Sequence, residues 1–302
     1  MKILITGSHG FVGTNLIEAL STEHDIIRWD VRVDQPLPAV DAVIHLAGLA
    51  HDTKHTTEVE AYFKVNTVLT QQIYERFLES SAEKFIFFSS IKAQDGDTPY
   101  ALSKKAAEEY ILSTSASSAT DKVASSCVPL VASGKPSAAN KSVYILRPCM
   151  IHGPGNKGNL NLLYKVVRLG LPWPLAAFEN KRSFASIGNV CYIVKELLSK
   201  DVKSGVYPVC DDEVLSTNEL IRIICSCLGK KACLWRIPRG VMKAFARLGD
   251  VLHLPLNSER LGKLTENYVV SNAEIKHALG INEMPTRAED GLKYTINSMI
   301  NE

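Results

Sequence analysis

Short apolar runs alternate with amphipathic stretches along the first two thirds of the chain. β-Branched and other apolar residues dominate six runs, at 2–6, 25–30, 42–47, 84–89, 142–147 and 205–209. Between these runs, apolar residues recur at helical spacing in 11–20, 58–81, about 99–112 and 187–199. Apolar strands separated by helices are typical of a parallel sheet that is covered on both faces. The pattern therefore predicts an α/β fold with a Rossmann-type, doubly wound parallel sheet.

Two regions depart from this alternation. Residues 113–140 are rich in Ser and Ala and contain Pro129, Gly134 and Pro136, which predicts a long surface loop. Beyond residue 210 the pattern predicts helices at 216–228, 239–252 and 272–279, with a variable segment at 255–270. We therefore expect two domains. One comprises residues 1–148 and has its sheet completed by about 187–210, and a smaller C-terminal cap comprises 149–186 and 211–302.

Composition places the chain among large globular proteins and excludes several partners. Its 302 residues are 46% hydrophobic and 22% charged, and 34 Lys and Arg against 32 Asp and Glu give a net charge of +2. This balance predicts no bulk attraction to nucleic acid or to a membrane. With neither a signal peptide nor a membrane-spanning run in the sequence, and with seven scattered cysteines, we expect a cytoplasmic protein. Core packing explains Cys225, Cys227 and Cys233 better than a zinc site does, so no metal is expected.

A glycine-rich turn follows the first predicted strand. Gly7, Gly10 and Gly13 form the pattern G-x-x-G-x-x-G and lead directly into the first predicted helix. Glycines permit a tight turn and a close approach of the backbone, and a helix N-terminus attracts an anionic diphosphate. This arrangement predicts a dinucleotide site.

The residue at the end of the second strand bears on the choice of dinucleotide. Asp30 lies about 20 residues beyond the glycines, where a carboxylate accepts hydrogen bonds from an adenosine ribose. A carboxylate there repels a ribose 2′-phosphate, which favours NAD over NADP. Arg28 and Arg32 lie nearby and leave NADP open, although both also fit a solvated surface.

A tyrosine and a lysine share one face of the helix predicted near residue 100. Tyr100 and Lys104 are four residues apart, and Ser89 and Ser90 end the preceding strand. A free tyrosine has a pKa of about 10, so it acts as a base near neutral pH only if that pKa is lowered. An ammonium group about 5 Å away contributes roughly 3 kcal/mol at an effective dielectric constant of about 20. The spacing therefore predicts that Tyr100 is a general base assisted by Ser90 and Lys104.

The sequence resembles the extended short-chain dehydrogenase/reductases, and among them the NAD-dependent epimerase/dehydratase family. The resemblance runs along nearly the whole chain and rests on motifs in a fixed order. They are Gly7-x-x-Gly10-Phe11-Val12-Gly13, Asp30, Asp41-Ala-Val-Ile-His-Leu-Ala47-Gly48, Val65-Asn66-Thr67, Phe88-Ser-Ser90, Tyr100-x-x-x-Lys104, Leu146-Arg-Pro148 and His152-Gly-Pro-Gly155.

Membership of this family implies a role for each matching residue. Catalysis would use Ser90, Tyr100 and Lys104. NAD would contact residues of the glycine loop, the strand ends and the tyrosine helix: Gly7, Gly10, Phe11, Val12, Gly13, Asp30, Ala47, Gly48, Asn66, Ser89, Tyr100, Lys104 and Pro148. The substrate would contact Ser90, Asn159, Leu160 and Arg182. Arg182 also fits a surface ion pair, and Asn159 also fits a turn-capping side chain.

The resemblance leaves three functions open. The first is a 4-epimerase of a UDP-hexose or a UDP-N-acetylhexosamine, which oxidises and re-reduces C4 through a 4-keto intermediate. The second is an NAD(P)H-dependent reductase of a nucleotide-4-keto-sugar in surface-polysaccharide synthesis, and the third is a non-catalytic NAD-binding regulator. Ile91 and Lys92 stand where 4,6-dehydratases carry an acidic pair, which disfavours a dehydratase. Relatives commonly form homodimers, here through helices 58–81 and 100–112.

Overall fold

The computed structural model describes residues 1–29, 35–49, 58–124, 141–156, 158–252 and 257–301, and side chains within 116–124 are outside that description. The chain divides into two compact units. The first contains 1–148, 191–209 and 274–281, and the second contains 149–190, 210–273 and 282–302.

Strands and helices alternate along the first unit in the order that the sequence predicts. The strands of the two units together, in chain order, are β1 Lys2–Thr6, β2 Asp25–Trp29, β3 Ala42–His45, β4 Lys84–Phe88, β5 Ser142–Pro148, β6 Met150–His152, β7 Phe184–Ser186 and β8 Gly205–Val209. The helices are α1 Phe11–Leu20, α2 Val59–Tyr62, a π-helical turn Phe63–Val68, α3 Leu69–Glu79, α4 Lys92–Asp95, α5 Pro99–Ala124, α6 Asn159–Arg168, α7 Ile187–Ser199, α8 Thr217–Cys227, α9 Arg239–Leu252, α10 Ser258–Thr265, α11 Ala273–Leu279 and α12 Ala288–Asn301.

The sheet of the first unit is wholly parallel in the part of the chain that is described. Its strand order is β2-β1-β3-β4-β5-β8. From β1 the chain adds β2 on one side and β3 on the other, so the connections reverse direction between β1 and β3. In open parallel sheets, ligands bind at the carboxyl ends of the strands at such a reversal. The predicted doubly wound α/β fold is confirmed.

A large apolar cluster holds the sheet of the first unit against its helices. Strand β3 is buried along its whole length, as the run of apolar residues in the sequence predicts. Phe85 and Phe87 of β4 pack with Tyr74 and Phe77 of α3 and with Ile111 of α5. The ring of Phe85 lies 5.1 Å from that of Phe77 and 5.2 Å from that of Tyr74. This packing fixes the carboxyl ends of the strands, where the predicted site lies.

Three predicted elements differ from the structure in the first unit. The strand predicted at 42–47 ends at His45, because Leu46 and Ala47 donate their N–H groups to the Thr6 side chain and leave the ladder. The helix predicted over 58–81 contains a π turn at Phe63–Val68 and ends at Glu79.

The third difference concerns the Ser/Ala-rich segment. Helix α5 continues to Ala124, so the loop predicted from residue 113 is wrong for 113–124. Alanine is the strongest helix former and the first proline comes only at Pro129, so nothing in this stretch stops the helix. Residues 125–140 lie outside the described residues.

The second unit is built mainly from helices around a short parallel pair of strands, β6 and β7. Its core combines apolar residues of α6, α8 and α12, among them Leu160, Tyr164, Ile221, Leu292 and Ile296. A capping box formed by Ser216 and Glu219 begins α8, at the position that the sequence predicts. Five elements of this unit were not predicted from the sequence: α6, α10, α12, β6 and β7. Cys225 packs inside the core.

None of the helices that the structure describes is both long enough and apolar enough to cross a membrane.

Candidate active site

The glycine loop joins β1 to α1 in a conformation that needs glycine. Gly7 has a φ of +66°, and a Cβ there would lie 2.7 Å from the backbone nitrogen of Ala47. A Cβ on Gly13 would collide with the carbonyl oxygen of Gly7. Gly10 occupies the N-cap position of α1 and has no side chain to cap the helix, so the N–H groups of the first turn remain available to an anion. These features fit the diphosphate of a dinucleotide.

The side chain of Thr6 organises the ends of β1 and β3. Its Oγ1 accepts hydrogen bonds from the backbone nitrogens of Leu46 at 3.1 Å and Ala47 at 3.2 Å. The same oxygen lies 2.7 Å from Nδ1 of His45. Since the hydroxyl already accepts two hydrogen bonds, its own proton is donated to His45. Thr6 thus draws the segment after β3 toward the glycine loop.

His45 continues this hydrogen-bond chain as a neutral imidazole. Because Nδ1 accepts a proton from Thr6, Nε2 carries the ring hydrogen and donates it to Oγ1 of Thr70, 3.0 Å away. Thr70 in turn donates to the carbonyl oxygen of Asn66 at 2.7 Å. Burial, together with the charge of Lys104, lowers the pKa of His45 to about 3. The imidazole is therefore uncharged across the neutral range.

Asn66 lies in the π turn and joins the end of β3 to α5. Its Oδ1 accepts from the backbone nitrogen of Leu49 at 2.8 Å, and its Nδ2 donates to the carbonyl oxygen of Leu49 at 3.2 Å. Nδ2 also donates to Oγ of Ser103, which donates to the carbonyl oxygen of Tyr100. π turns recur at functional sites because they redirect side chains within a helix. Here the turn places a buried amide between the predicted cofactor groove and the tyrosine helix.

Lys104 is a buried cation at the carboxyl end of β4. Its Nζ donates to the carbonyl oxygen of Phe88 at 2.9 Å and lies 4.8 Å from the centre of the Phe87 ring. A Cβ on Gly48 would lie 3.2 Å from that Nζ, so the lysine reaches the segment after β3. Burial lowers the pKa of Lys104 to about 8, and the negative charge of Glu108 acts in the opposite direction. Lys104 therefore holds its charge most securely below that pH.

Tyr100 lies in the first turn of α5 and interacts with Ser90. Burial raises the pKa of Tyr100, and the nearby hydroxyl of Ser90 lowers it. The ring of Tyr62 meets that of Tyr100 edge-on, with 6.2 Å between the ring centres. Burial, rather than the charge of Lys104, dominates the pKa of Tyr100 in this structure, which differs from the effect expected from the sequence. The reason is that Lys104 directs its Nζ to Phe88.

The other predicted cofactor residues lie at strand and helix ends, with one exception. Phe11 and Val12 form the first turn of α1. Ser89 follows β4, and its buried Oγ has no hydrogen-bond partner among the described residues, which fits a ligand contact. Pro148 ends β5 and accepts a hydrogen bond from the backbone nitrogen of Ile91 at 3.1 Å. Asp30 lies outside the described residues.

Apart from Ser90, the predicted substrate residues lie in the second unit. Asn159 is exposed at the start of α6, whereas the side chain of Leu160 is buried in the apolar core. Arg182 is half-buried, and its Nη2 donates to the carbonyl oxygen of Lys263. Its buried Nε has no partner among the described residues. That donor is available to a phosphate oxygen.

A cavity of about 310 Å³ in the second unit brings an aromatic ring and two cations together. Phe178, Lys243 and Arg247 line it, with the hydroxyls of Ser258 and Thr265. None of these residues was predicted from the sequence. The available signal was a pair of basic residues four apart on α9, which is equally typical of a solvated helix face.

Sequence reasoning also missed an ion pair behind the predicted catalytic residues. Arg147 donates to Glu108 through Nε at 3.1 Å to each carboxylate oxygen and through Nη2 at 2.5 Å. The side chain of Glu108 is only 2% exposed and that of Arg147 is 21% exposed. Glu108 follows Lys104 by one helical turn, which was the available signal. The pair joins α5 to β5.

Comparison with known proteins finds matches to one protein family. The model of the family described as "NAD dependent epimerase/dehydratase family" matches residues 3–210. A UDP-glucose 4-epimerase of Vibrio cholerae is 30% identical over 99% of this chain and 95% of its own length. An N-acetyl-alpha-D-glucosaminyl-diphospho-ditrans,octacis-undecaprenol 4-epimerase of Escherichia coli O157:H7 is 25% identical over 91% of this chain and 84% of its own length.

The fold has solved counterparts. The structure of MoeE5 in complex with UDP-glucuronic acid and NAD matches with a TM-score of 0.72 and 19% identity, over 100% of this chain and 99% of that one. The glycine loop, the parallel sheet and the residues Ser90, Tyr100 and Lys104 all lie within the range that the family model matches. Both the predicted family and the predicted enzyme class are confirmed, and the chain belongs to the NAD-dependent epimerase/dehydratase family.

Proposed function

We propose that the protein is a nucleotide-sugar 4-epimerase whose catalytic residues are Ser90, Tyr100 and Lys104. The observation that carries the proposal is the buried Lys104, which lies one helical turn after Tyr100 and donates to the carbonyl oxygen of Phe88, two residues before Ser90. These three groups supply a base, a hydrogen-bond donor to the reacting oxygen and a fixed positive charge. Their arrangement suits the removal of a proton from a sugar hydroxyl.

The residues of the first unit suit NAD as the bound cofactor. We assign the diphosphate to the loop of Gly7, Gly10 and Gly13, and the nicotinamide end to the side of Ser89 and Lys104. Two of the N–H donors of Lys104 are left after its bond to Phe88, and a ribose hydroxyl is a suitable acceptor for them. When bound, NAD supplies an acceptor for the C4 hydride of the sugar and a donor that returns it.

Proton movements in the proposed reaction belong to the chain itself. Tyr100, as phenolate, takes the proton of the sugar 4-hydroxyl, while Ser90 donates a hydrogen bond to the same oxygen. The hydroxyl of Ser90 opposes the effect of burial on the pKa of Tyr100, and the positive charge of an oxidised cofactor would act in the same direction as Ser90. After the 4-keto sugar has presented its other face, Tyr100 returns the proton to the oxygen. Inversion at C4 completes the cycle without net oxidation.

The second unit offers a binding site for the nucleotide part of the substrate. The Phe178 ring at the cavity suits stacking on a nucleobase, and Lys243 and Arg247 suit its phosphates. Arg182 supplies a further guanidinium with an unused buried donor. The V. cholerae relative is named for UDP-glucose, and the MoeE5 structure is of a complex with a UDP-sugar. The E. coli relative is instead named for a sugar on a polyprenyl diphosphate. An aromatic residue at the cavity favours a UDP-hexose or UDP-N-acetylhexosamine.

The proposed function includes a homodimer formed through the helices of the first unit. Val59, Val68, Leu102 and Leu112 belong to α2, the π turn and α5, and all four are exposed. Large apolar side chains on neighbouring helices favour an interface between two copies. Sedimentation of the purified protein tests this part of the proposal.

The experiment that tests the function follows a deuterium label at C4 of the sugar. The purified protein is incubated with UDP-glucose, and separately with UDP-N-acetylglucosamine, each labelled at C4, with no added cofactor. NMR then identifies the C4 epimer and the position of the label. We expect the epimer of one substrate with its label still at C4, because the hydride returns from the same cofactor. Loss of the label to solvent, or no epimer of any nucleotide sugar, contradicts the proposal.

A further inference from the structure

Helix α9 presents two apolar faces, and one of them lies in water. Met242, Ala246 and Gly249 are buried and pack in a cluster that includes Leu175 and Leu261. A second stripe runs along the helix beside them and is exposed: Val241 43%, Phe245 58%, Leu248 50% and Leu252 57%. These residues recur at intervals of four, three and four, so they share one side of the helix. We call them the α9 stripe.

The α9 stripe is a continuous row of exposed apolar side chains and not a set of isolated ones. Single exposed apolar side chains are normal on proteins, but a row along a whole helix marks an interaction surface. Trp235, in the segment just before α9, is also 54% exposed. Aromatic residues beside an amphipathic helix are typical of surfaces that lie at a lipid–water boundary. The shape of the patch therefore suits a broad apolar phase.

The charge around α9 is strongly positive. Residues 230–252 contain six Lys and Arg (Lys230, Lys231, Arg236, Arg239, Lys243 and Arg247) and one acidic residue, Asp250, which gives a local net charge of +5. The whole chain has a net charge of only +2, so the remainder is net negative. The carboxylate of Asp250 accepts hydrogen bonds from the backbone nitrogen and hydroxyl of Ser258. A whole-chain average conceals this concentration of positive charge.

We propose that helix α9 docks the protein on an anionic membrane surface. The α9 stripe enters the boundary between headgroups and acyl chains, and Lys230, Lys231 and Arg236, which do not line the cavity of the second unit, contact lipid phosphates. The charge distinguishes this occupant from a second copy of the chain. In a twofold interface the same surface faces itself, so two regions of net charge +5 would repel each other.

This docking is separate from the proposed chemistry. Phe245 and Leu248 do not line the cavity of the second unit, and neither belongs to the proposed catalytic set. Both side chains are exposed, so charged replacements leave the core of the unit intact. We therefore expect the epimerase activity on a free nucleotide sugar to persist when docking is lost.

The test is co-sedimentation with lipid vesicles. The full chain is mixed with vesicles of equal parts phosphatidylglycerol and phosphatidylcholine, and with vesicles of phosphatidylcholine alone. We expect binding to the first kind only, and weaker binding as salt is added, because salt screens the attraction. The double variant Phe245→Glu/Leu248→Glu should lose binding by about tenfold or more, since two charges replace the residues that enter the lipid.

A matched control places the same charge on another exposed apolar residue. Tyr294 on α12 is 60% exposed, and Tyr294→Glu should bind the anionic vesicles as the unmodified protein does. Absence of binding by the unmodified protein overturns the proposal, as does equal binding by the Phe245→Glu/Leu248→Glu variant. A dimer that this variant dissociates, with no binding to vesicles, also overturns it and assigns the α9 stripe to a second copy.

Discussion

His45 accepts a hydrogen bond from the hydroxyl of Thr6, with 2.7 Å between Nδ1 and Oγ1, and this contact joins the ends of the two strands at which the sheet reverses direction. The imidazole has to be neutral for the contact to form, because a protonated Nδ1 has no lone pair to offer. The same neutrality fixes Nε2 as a donor to Thr70. One tautomer of one buried side chain thus holds β1, β3 and the start of α3.

The protonation of His45 makes stability depend on pH. Its pKa is about 3 in the folded protein and about 6.5 in an unfolded chain, so the unfolded state binds the extra proton first as the pH falls. The free energy of unfolding has its full value above pH 6.5, and it falls by roughly 4–5 kcal/mol in total as the pH decreases to about 3. Chemical denaturation at a series of pH values measures this slope. His45→Gln should flatten it, whereas His277→Gln, on the exposed side of α11, should leave it unchanged.

Gly48 is predicted to be required for cofactor binding. In Gly48→Ala the added methyl would lie 2.9 Å from Oδ1 of Asn66 and 3.2 Å from Nζ of Lys104, so one of these buried groups has to move. We expect at least about a tenfold loss of NAD affinity, since a small displacement at a preorganised site is costly. Titration with NAD measures it. Gly240→Ala is the control, because nothing lies within 4 Å of the added methyl there; an equal loss in both variants would contradict the role of Gly48.

The sequence predicted most of what local patterns encode. The strands of the sheet, the glycine loop, and the positions of Ser90, Tyr100 and Lys104 all follow from apolar runs and motif spacing. The Thr6–His45–Thr70 chain could not be predicted, because it joins residues that lie far apart in sequence and meet only when the sheet forms. Helix α6 was missed for another reason: its apolar face begins directly after a glycine-rich turn that reads as loop.

Tyr100→Phe tests the proposed base. The variant keeps the ring and its edge-on contact with Tyr62 but removes the hydroxyl that carries the proton. We expect the rate of epimerisation to fall by about 10²–10⁴-fold, the usual contribution of general acid–base catalysis, with bound NAD retained. Tyr110 lies on the same helix as Tyr100, and Tyr110→Phe, which removes a hydroxyl that donates to Glu75 of α3, should retain activity. Full activity in Tyr100→Phe would rule out the proposed mechanism.

Ser90→Ala is predicted to shift the pH–rate profile. The hydroxyl of Ser90 lowers the pKa of Tyr100, so its removal raises that pKa and disfavours the phenolate. The limb of the profile that reports ionisation of the base should therefore move to higher pH. A lower rate with an unmoved limb would mean that Ser90 acts on the substrate alone. Measurement of kcat/KM over a range of pH separates the two results.

The ion pair of Glu108 and Arg147 is predicted to stabilise the first unit. Arg147→Ala leaves the buried carboxylate of Glu108 without its partner, which typically costs about 3–5 kcal/mol. Denaturant unfolding measures the loss. Lys195→Ala breaks the exposed pair with Glu23, 2.8 Å long, and should cost much less, because solvent screens an exposed pair. If the free energy of unfolding falls by similar amounts in the two variants, burial of Glu108 does not determine the cost of breaking its ion pair.

The cofactor content of the purified protein tests the central claim most directly. The protein is purified without added nucleotide and denatured, and the nucleotide it releases is identified and quantified. A closed 4-epimerase cycle regenerates its cofactor on every turnover, so we expect about one equivalent of NAD per chain. A protein that releases no nucleotide, and that instead binds NADH or NADPH reversibly and consumes it in proportion to product, would contradict the epimerase and identify a 4-keto-sugar reductase.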